Sequence, residues 1–528
     1  MNPLSQRGEM LGRVSHAALV VVACGTLSAC DSAQHGATSA SGGDSLVVGV
    51  GGDEADLKLN RQRLGRYPLN AGICEPLLRL RPDFGVEPWL ANTWEYKRNN
   101  TYRFTLRHGL RFHNGKPLTS SSVKYTLDQQ VKDKTQYSFL GDSSVVVVDD
   151  STLDIRPARA NLRLPEQMVH HSYGIIGEGT DPATHPVCTG PFRFREYVAH
   201  DHLSVDRNDA YWREKSRLSR ITFRFIPDDN TRAFALRAGN VDVIVDVNRS
   251  MVASLKATPG IRVVTAPPGA VILIYIATRG TTPNRLMSDR GIRRAVALSI
   301  DRRALVNHVM GGYATQVNTV NPPSVLGPFA SLVHGIDYNP VLARHLLDSL
   351  GWKQTDGATR EKHGVRLSLS MIVQSGTTVD RSIVQYVQAQ LAEVGIDVRV
   401  DELDAAAFNS RLNSGTFDMD IELPNQNDAN PAFLLALRWY SKSNVQSSPF
   451  MMIGERFDSL VDRSLSSVDR RDAQKAAAEA MHVLIDEEAA AIPLAGVSRI
   501  YAMSSRVRGF VPHPSRLNQS WSSVWLAK

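Results

Sequence analysis

Between Ile383 and Val400 the chain changes period once, and that change limits the folds open to it. Apolar residues recur at helical spacing over 383–394, Gly395 follows as a helix stop, and Ile396-Asp397-Val398-Arg399-Val400 alternates as a strand. The same order recurs where 343–350 ends at Gly351-Trp352. A helix closed by glycine and continued by a strand is the connection found in α/β layers. Period-two alternation predicts further strands over Ser45–Val50, 101–107 and 220–226, and helical spacing predicts helices over 290–309, 339–350, 379–394 and 470–488. A chain of 528 residues exceeds what one core usually holds, so two or three lobes are expected. No internal repeat is present, and Gly51-Gly52-Asp53 lacks the Lys-Ser/Thr and following helix of a phosphate loop.

The front end reads as an address. Arg7 and Arg13 precede the apolar run Ala17-Ala18-Leu19-Val20-Val21-Val22-Ala23, which is too short for a permanent membrane span, and the run closes on Leu27-Ser28-Ala29-Cys30. That tetrapeptide is similar to a bacterial lipobox, which implies removal of a signal peptide at 1–29 and a lipid on the Cys30 thiol. The other reading is a plain signal peptide cut near Ala29. Residues 30–45, rich in Ser, Gly, Ala and Thr, cannot bury enough apolar surface to fold and read as a flexible tether. No later stretch approaches 18 uninterrupted apolar residues, so no second span is expected.

The net charge of +7 comes from basic residues spread along the chain, with no block of five, which argues for a solvated surface and against a nucleic-acid partner. Of the four cysteines, Cys24 lies in the signal and Cys30 at the expected lipid site. Cys74 and Cys188 either pair in an oxidising compartment or sit as small buried hydrophobes. Gly-x-Ser-x-Gly, His-Glu-x-x-His and Cys-x-x-Cys are all missing, so a secreted lipoprotein hydrolase lacks its usual signals, and no cofactor or metal site is expected. His113, in Phe112-His113-Asn114-Gly115, is read as part of a two-residue hairpin turn. The adjacent His170 and His171 cannot both face one pocket from a regular strand.

Tyr102-Arg103-Phe104-Thr105-Leu106-Arg107-His108-Gly109-Leu110-Arg111-Phe112-His113-Asn114-Gly115-Lys116-Pro117-Leu118-Thr119 closely resembles the signature of the family 5 extracellular solute-binding proteins, the dipeptide, oligopeptide and nickel receptors of ABC importers. Other landmarks follow in that family's order. They are Glu75-Pro76-Leu77-Leu78 with Pro88-Trp89-Leu90-Ala91, Thr189-Gly190-Pro191-Phe192, Arg207-Asn208-Asp209-Ala210-Tyr211-Trp212, Ala238-Gly239-Asn240-Val241-Asp242, 292–302, and Gln388-Ala389-Gln390-Leu391 before Val394-Gly395-Ile396. Each piece is weak alone; their order is not.

The resemblance implies a two-lobed, periplasmic-binding-protein-like α/β fold with an inserted subdomain and an interlobe ligand cleft. Lobe I would take 46–272 and 495–528, with the insertion at 76–184, and lobe II would take 273–494. Pro267-Pro268-Gly269 and Ile492-Pro493-Leu494 would mark the crossings. Such a receptor is no enzyme: it is a monomer that traps a peptide or peptide-like solute and delivers it to an ABC permease and its ATPase. Dipeptide receptors of the family share an Arg for the peptide carboxylate and an Asp for its amine. Those positions fall near Gln374-Ser375 and near Gln426 in Asn425-Gln426-Asn427-Asp428, so both charges are missing. Asp428 would restore amine recognition if the loop is shifted. Trp439 and Tyr440 either wall the cleft or belong to the core; Arg279 either meets an anionic group or faces solvent. A nickel chelate, an opine, a saccharide or another small polar nutrient is the alternative ligand.

Overall fold

A computed structural model describes residues 44–51, 72–132, 140–158, 163–170, 173–181, 184–354, 359–375, 379, 381–424 and 428–528. The expected signal peptide, Cys30, nearly all of the tether, and Asn425, Gln426 and Asn427 lie outside these residues. Three sheets organise the rest. The first runs in the order Ile261–Thr265, Ile500–Ser504, Val243–Ile244, Ser45–Val50, Arg220–Phe225, His202–Arg207 and Phe192–Val198. Ser45–Val50 is parallel to both of its neighbours. The second has the order Ala314–Thr315, Ala491–Val497, Ala270–Ile276, Met419–Glu422, Ser368–Gln374 and Asp397–Leu403, the last three strands parallel. The third is an antiparallel sheet of Ala91–Lys97, Thr101–Leu106, Thr152–Ile155 and Val145–Asp149.

Burial explains the two kinds of strand pattern. In Thr101–Leu106, Tyr102, Phe104 and Leu106 enter the core while Thr101, Arg103 and Thr105 stay half-exposed, which is the period-two signal of a sheet packed on one face. Ala270–Ile276 is apolar without alternation because it is central: Ile272, Ile274 and Ile276 enter one core, and Val271, Leu273 and Tyr275 enter another.

Two sequence expectations need correction. The predicted helix 290–309 is broken: Arg290–Leu298 ends at Ser299, and the Asp301 carboxylate caps a new start by accepting from the Ala304 amide at 2.9 Å. The turn at His113 is a three-residue loop. The Phe112 amide donates to Lys116 O at 2.9 Å, the Gly115 amide donates to Phe112 O at 2.8 Å, and Gly115, unlike Asn114, has a positive φ, 81°. His113 itself is a packing residue: its Nδ1 accepts from the Cys188 amide at 3.3 Å, its Nε2 donates to Gly190 O at 3.0 Å, and burial pulls its pKa down to about 4.

Cys74 and Cys188 form a disulfide with Cα atoms 4.8 Å apart. Next to it, the buried Glu75 carboxylate gathers four donors. Trp89 Nε1 donates at 2.8 Å, Thr189 Oγ1 at 2.9 Å, Tyr211 OH at 2.7 Å and Trp212 Nε1 at 3.0 Å. Burial pushes the carboxyl's pKa up and the four hydrogen bonds oppose it.

Candidate ligand-binding site

The chain passes from the first sheet to the second between Thr265 and Ala270, and returns between Val497 and Ile500. Pro267-Pro268-Gly269 lies in the first passage, while Ile492-Pro493-Leu494 lies inside the strand Ala491–Val497 and the return follows it. A β-carbon on Gly269 would stand 1.8 Å from Pro514 O, so the first passage runs hard against the C-terminal segment and tolerates no side chain. At the return, Arg499 grips Asp246 through two hydrogen bonds of 2.8 Å.

Strand direction then locates the site. Ala270–Ile276 pairs antiparallel with Met419–Glu422, Leu273 opposite Glu422, and antiparallel with Ala491–Val497, Ala270 opposite Val497. The end of the sheet that carries both passages is therefore the end where the parallel strands finish at Gln374, Leu403 and Glu422. In the first sheet, Ser45–Val50 and Arg220–Phe225 likewise run toward this junction. In open α/β sheets, ligands bind outside the carboxyl ends of strands. The cleft accordingly lies between the two sheet ends.

The topology brings Gln374, Ser375 and the segment entering Asn425–Asn427 to this edge. Gln374 is half-buried at the strand end, and the exposed Ser375 donates its amide to Leu403 O at 2.8 Å. Asp428 is only 2 % exposed; its Oδ1 accepts from the Asn430 amide at 3.0 Å, and the next amide, Ala429, donates to Glu166 O at 3.1 Å.

Three candidates are not brought to the cleft. Arg279 follows the carboxyl end of Ala270–Ile276, an antiparallel strand, so it stands exposed at the far edge with its amide donated to Phe450 O at 2.8 Å. Trp439 has no exposed surface: its ring stacks on Tyr275, centroids 5.1 Å apart and planes 17° apart. Tyr440 is buried beside it, and burial, with the bond from its hydroxyl to the Asp462 carboxylate adding, pushes its pKa up to about 12. The helix Phe433–Arg438 turns both rings into the core under the second sheet.

Charged groups that sequence reasoning passed over stand here instead. Gln374 and Glu422 follow Ile372 and Asp420 by two residues in paired parallel strands, so they share one face. The Glu422 carboxylate accepts from Arg438 at 2.7 Å, and the Arg438 guanidinium lies 5.1 Å from the centre of the Tyr275 ring. Beneath them Asp420 is fully buried without a well-formed hydrogen bond to either oxygen among the described residues, the Tyr275 backbone amide and the Arg438 guanidinium being the groups that favour its charged form. Burial, with Glu422 adding, pushes its pKa well up. The available signal was Asp420 and Glu422 at alternate positions of an otherwise apolar strand. Among the described residues no group of three His, Cys, Asp or Glu is placed to hold a metal ion, and no helix is long and apolar enough to cross a membrane.

Comparison with known proteins places the chain in a family and a fold. Residues 85–446 match the family model described as bacterial extracellular solute-binding proteins, family 5 Middle. The nickel-binding periplasmic protein of Escherichia coli (strain K12) is 24% identical over 463 residues, covering 84% of this chain and 86% of that protein. The oligopeptide-binding protein AppA of Bacillus subtilis (strain 168) is 24% identical over 457 residues, 81% of each chain. Among solved structures, NikA from Brucella suis in complex with Fe(III)-EDTA superposes with a TM-score of 0.82 at 23% identity, covering 92% of this chain and 100% of that one.

Proposed function

The chain belongs to the bacterial extracellular solute-binding proteins of family 5, the extracytoplasmic receptors of ABC importers, and on that premise we propose that it captures a peptide or peptide-like solute between two closing lobes. Capture needs no catalytic group; it needs a solute that binds the closed state better than the open one. The observation that carries this reading is the shared edge: Gln374, Ser375 and the Glu422–Arg438 pair stand at the strand ends beside both interlobe passages. The passages support lobe boundaries within a few residues of those expected, with the third sheet inside the 76–184 insertion.

The ligand is polar, with its ends blocked or recognised away from Gln374 and Gln426. Amides there carry a smaller desolvation cost than ionised groups and both donate and accept. Native mass spectrometry of the protein purified from rich medium, followed by denaturation and identification of what is released, tests the reading. A ladder of peptide masses is expected. One discrete non-peptide mass, or a metal with its chelator, would replace peptide by the alternative class of solute, for which the two missing charges are the supporting observation.

Cys30 is proposed as the lipid anchor, with residues 30–45 holding the receptor near its permease as a monomer. Cys30→Ala is expected to move the protein from the membrane fraction to the soluble or secreted one and to abolish incorporation of labelled fatty acid. Unchanged fractionation and labelling would rule the anchor out.

A further inference from the structure

We propose that the protein carries a second small-molecule site, backed by Ala429 and lined by none of Gln374, Ser375 and Glu422, that takes a small organic carboxylate with a flat apolar body. The site is a cavity of ≈ 380 Å³ at the meeting of the third sheet with the turn that begins the helix Arg470–His482. That volume falls within the range of small-molecule sites.

Its walls combine cations and rings. Arg163 and Arg470 converge on the single Glu166 carboxylate, at 3.0 Å and 3.6 Å. Arg163 also donates to Val468 O at 2.7 Å, and Arg470 to Phe84 O at 3.0 Å. Two further charged groups at the cavity have partners of their own: Arg81 binds Asp83 at 2.8 Å, and Glu95 pairs with Lys97. With Arg81 paired to Asp83 and Glu95 to Lys97, the excess rests on the inner trio of two guanidiniums and one carboxylate. In a partly desolvated space such an excess favours an anion, and a planar guanidinium favours a carboxylate that it can grip with two bonds. Trp94, Tyr96 and Tyr102 supply the apolar wall, the two tyrosine rings packed edge to face at 5.3 Å.

The location gives the site a consequence. Arg163, Glu166 and the aromatic wall belong to the region of the third sheet, whereas Val468 lies in the turn before, and Arg470 at the start of, a helix packed under the second sheet. A carboxylate bound across that seam would be thermodynamically coupled to any motion that parts the two regions, whatever solute occupies the cleft.

The test is a ¹⁹F NMR titration of the intact purified protein with 4-fluorobenzoate at fixed ionic strength, with neutral 4-fluorobenzamide as the control. Saturable benzoate binding is expected, with the amide at least tenfold weaker. Arg470→Gln is expected to weaken benzoate at least tenfold. Val86→Trp, which fills the cavity from a half-buried position on a short edge strand, is expected to do the same without changing the melting temperature. Absence of saturable binding, equal binding of the amide, or benzoate affinity unchanged in Val86→Trp would overturn the proposal, the last by placing the probe elsewhere on the protein.

Discussion

Replacing Glu75 by leucine is expected to lower the free energy of unfolding by about 4 kcal/mol, since at least two buried donors, Trp89 Nε1 and Thr189 Oγ1, lose their acceptor at about 1–3 kcal/mol each. Tyr211 and Trp212 lose theirs too, but both are half-exposed and can turn to water. Leucine cannot recover the loss by better packing, because the donors around it stay in place; removing one partner of a buried polar set is the costly operation. Glu75→Gln keeps one carbonyl oxygen but presents two N–H groups to a shell of donors, so an intermediate loss is expected. Denaturant unfolding of the three proteins, read with the Cys74–Cys188 disulfide intact, checks this. A leucine variant within about 0.5 kcal/mol of the parent, the scatter of ordinary surface substitutions, would show that the hub contributes nothing.

Asp420→Val is expected to do the opposite and stabilise the protein by about 2 kcal/mol at neutral pH, the scale of burying a polar group without a hydrogen bond. Asp420 stands opposite Tyr275 in the second sheet, fully buried, with only weak support from the Tyr275 backbone amide and no well-formed hydrogen bond to either oxygen among the described residues. A valine fits the strand and the apolar surroundings. The pH dependence has a definite sign. The folded-state pKa lies well above the ordinary 3.8, so the contribution of Asp420 to stability is greatest below that value and is lost as pH rises through the folded pKa. The gain from valine should therefore be small near pH 4 and grow toward neutrality, as melting curves of both proteins across that range would record. A gain that is absent at pH 7 would mean that Arg438 compensates the charge. A gain accompanied by loss of solute binding would mean that the unfavourable carboxyl is kept for the cleft.

The contrast between these two carboxyls marks how far the sequence could be read. Period and punctuation carried the elements. The strand after Gly395 is present at Asp397–Leu403, and Ser45–Val50 has its expected bounds, because alternation and a glycine stop are local properties. The helix expected over 290–309 failed where one capping aspartate competed with an uninterrupted apolar period. Order along the chain carried the family, since its landmarks are short pieces in a row.

What the pieces do to one another was not legible. Glu75, Trp89, Thr189 and Tyr211-Trp212 are four separate landmarks in the chain, and only in the folded protein do they become one carboxylate and its four donors. Gln374 reads as a position beside the cleft, and Arg279 as either a contact for an anionic group or a solvent-facing residue. Strand direction separates them, putting one at the end of the sheet where the chain crosses and the other at the far end. Trp439 reads in one dimension as either a cleft wall or a core residue, and burial under the second sheet decides for the core. By itself the sequence determined the α/β class and the family it resembles, since each rests on neighbours in the chain. The tertiary structure alone decided which side chains share an edge, a hub or a cavity, because those contacts join residues far apart in the chain, and no local period encodes them.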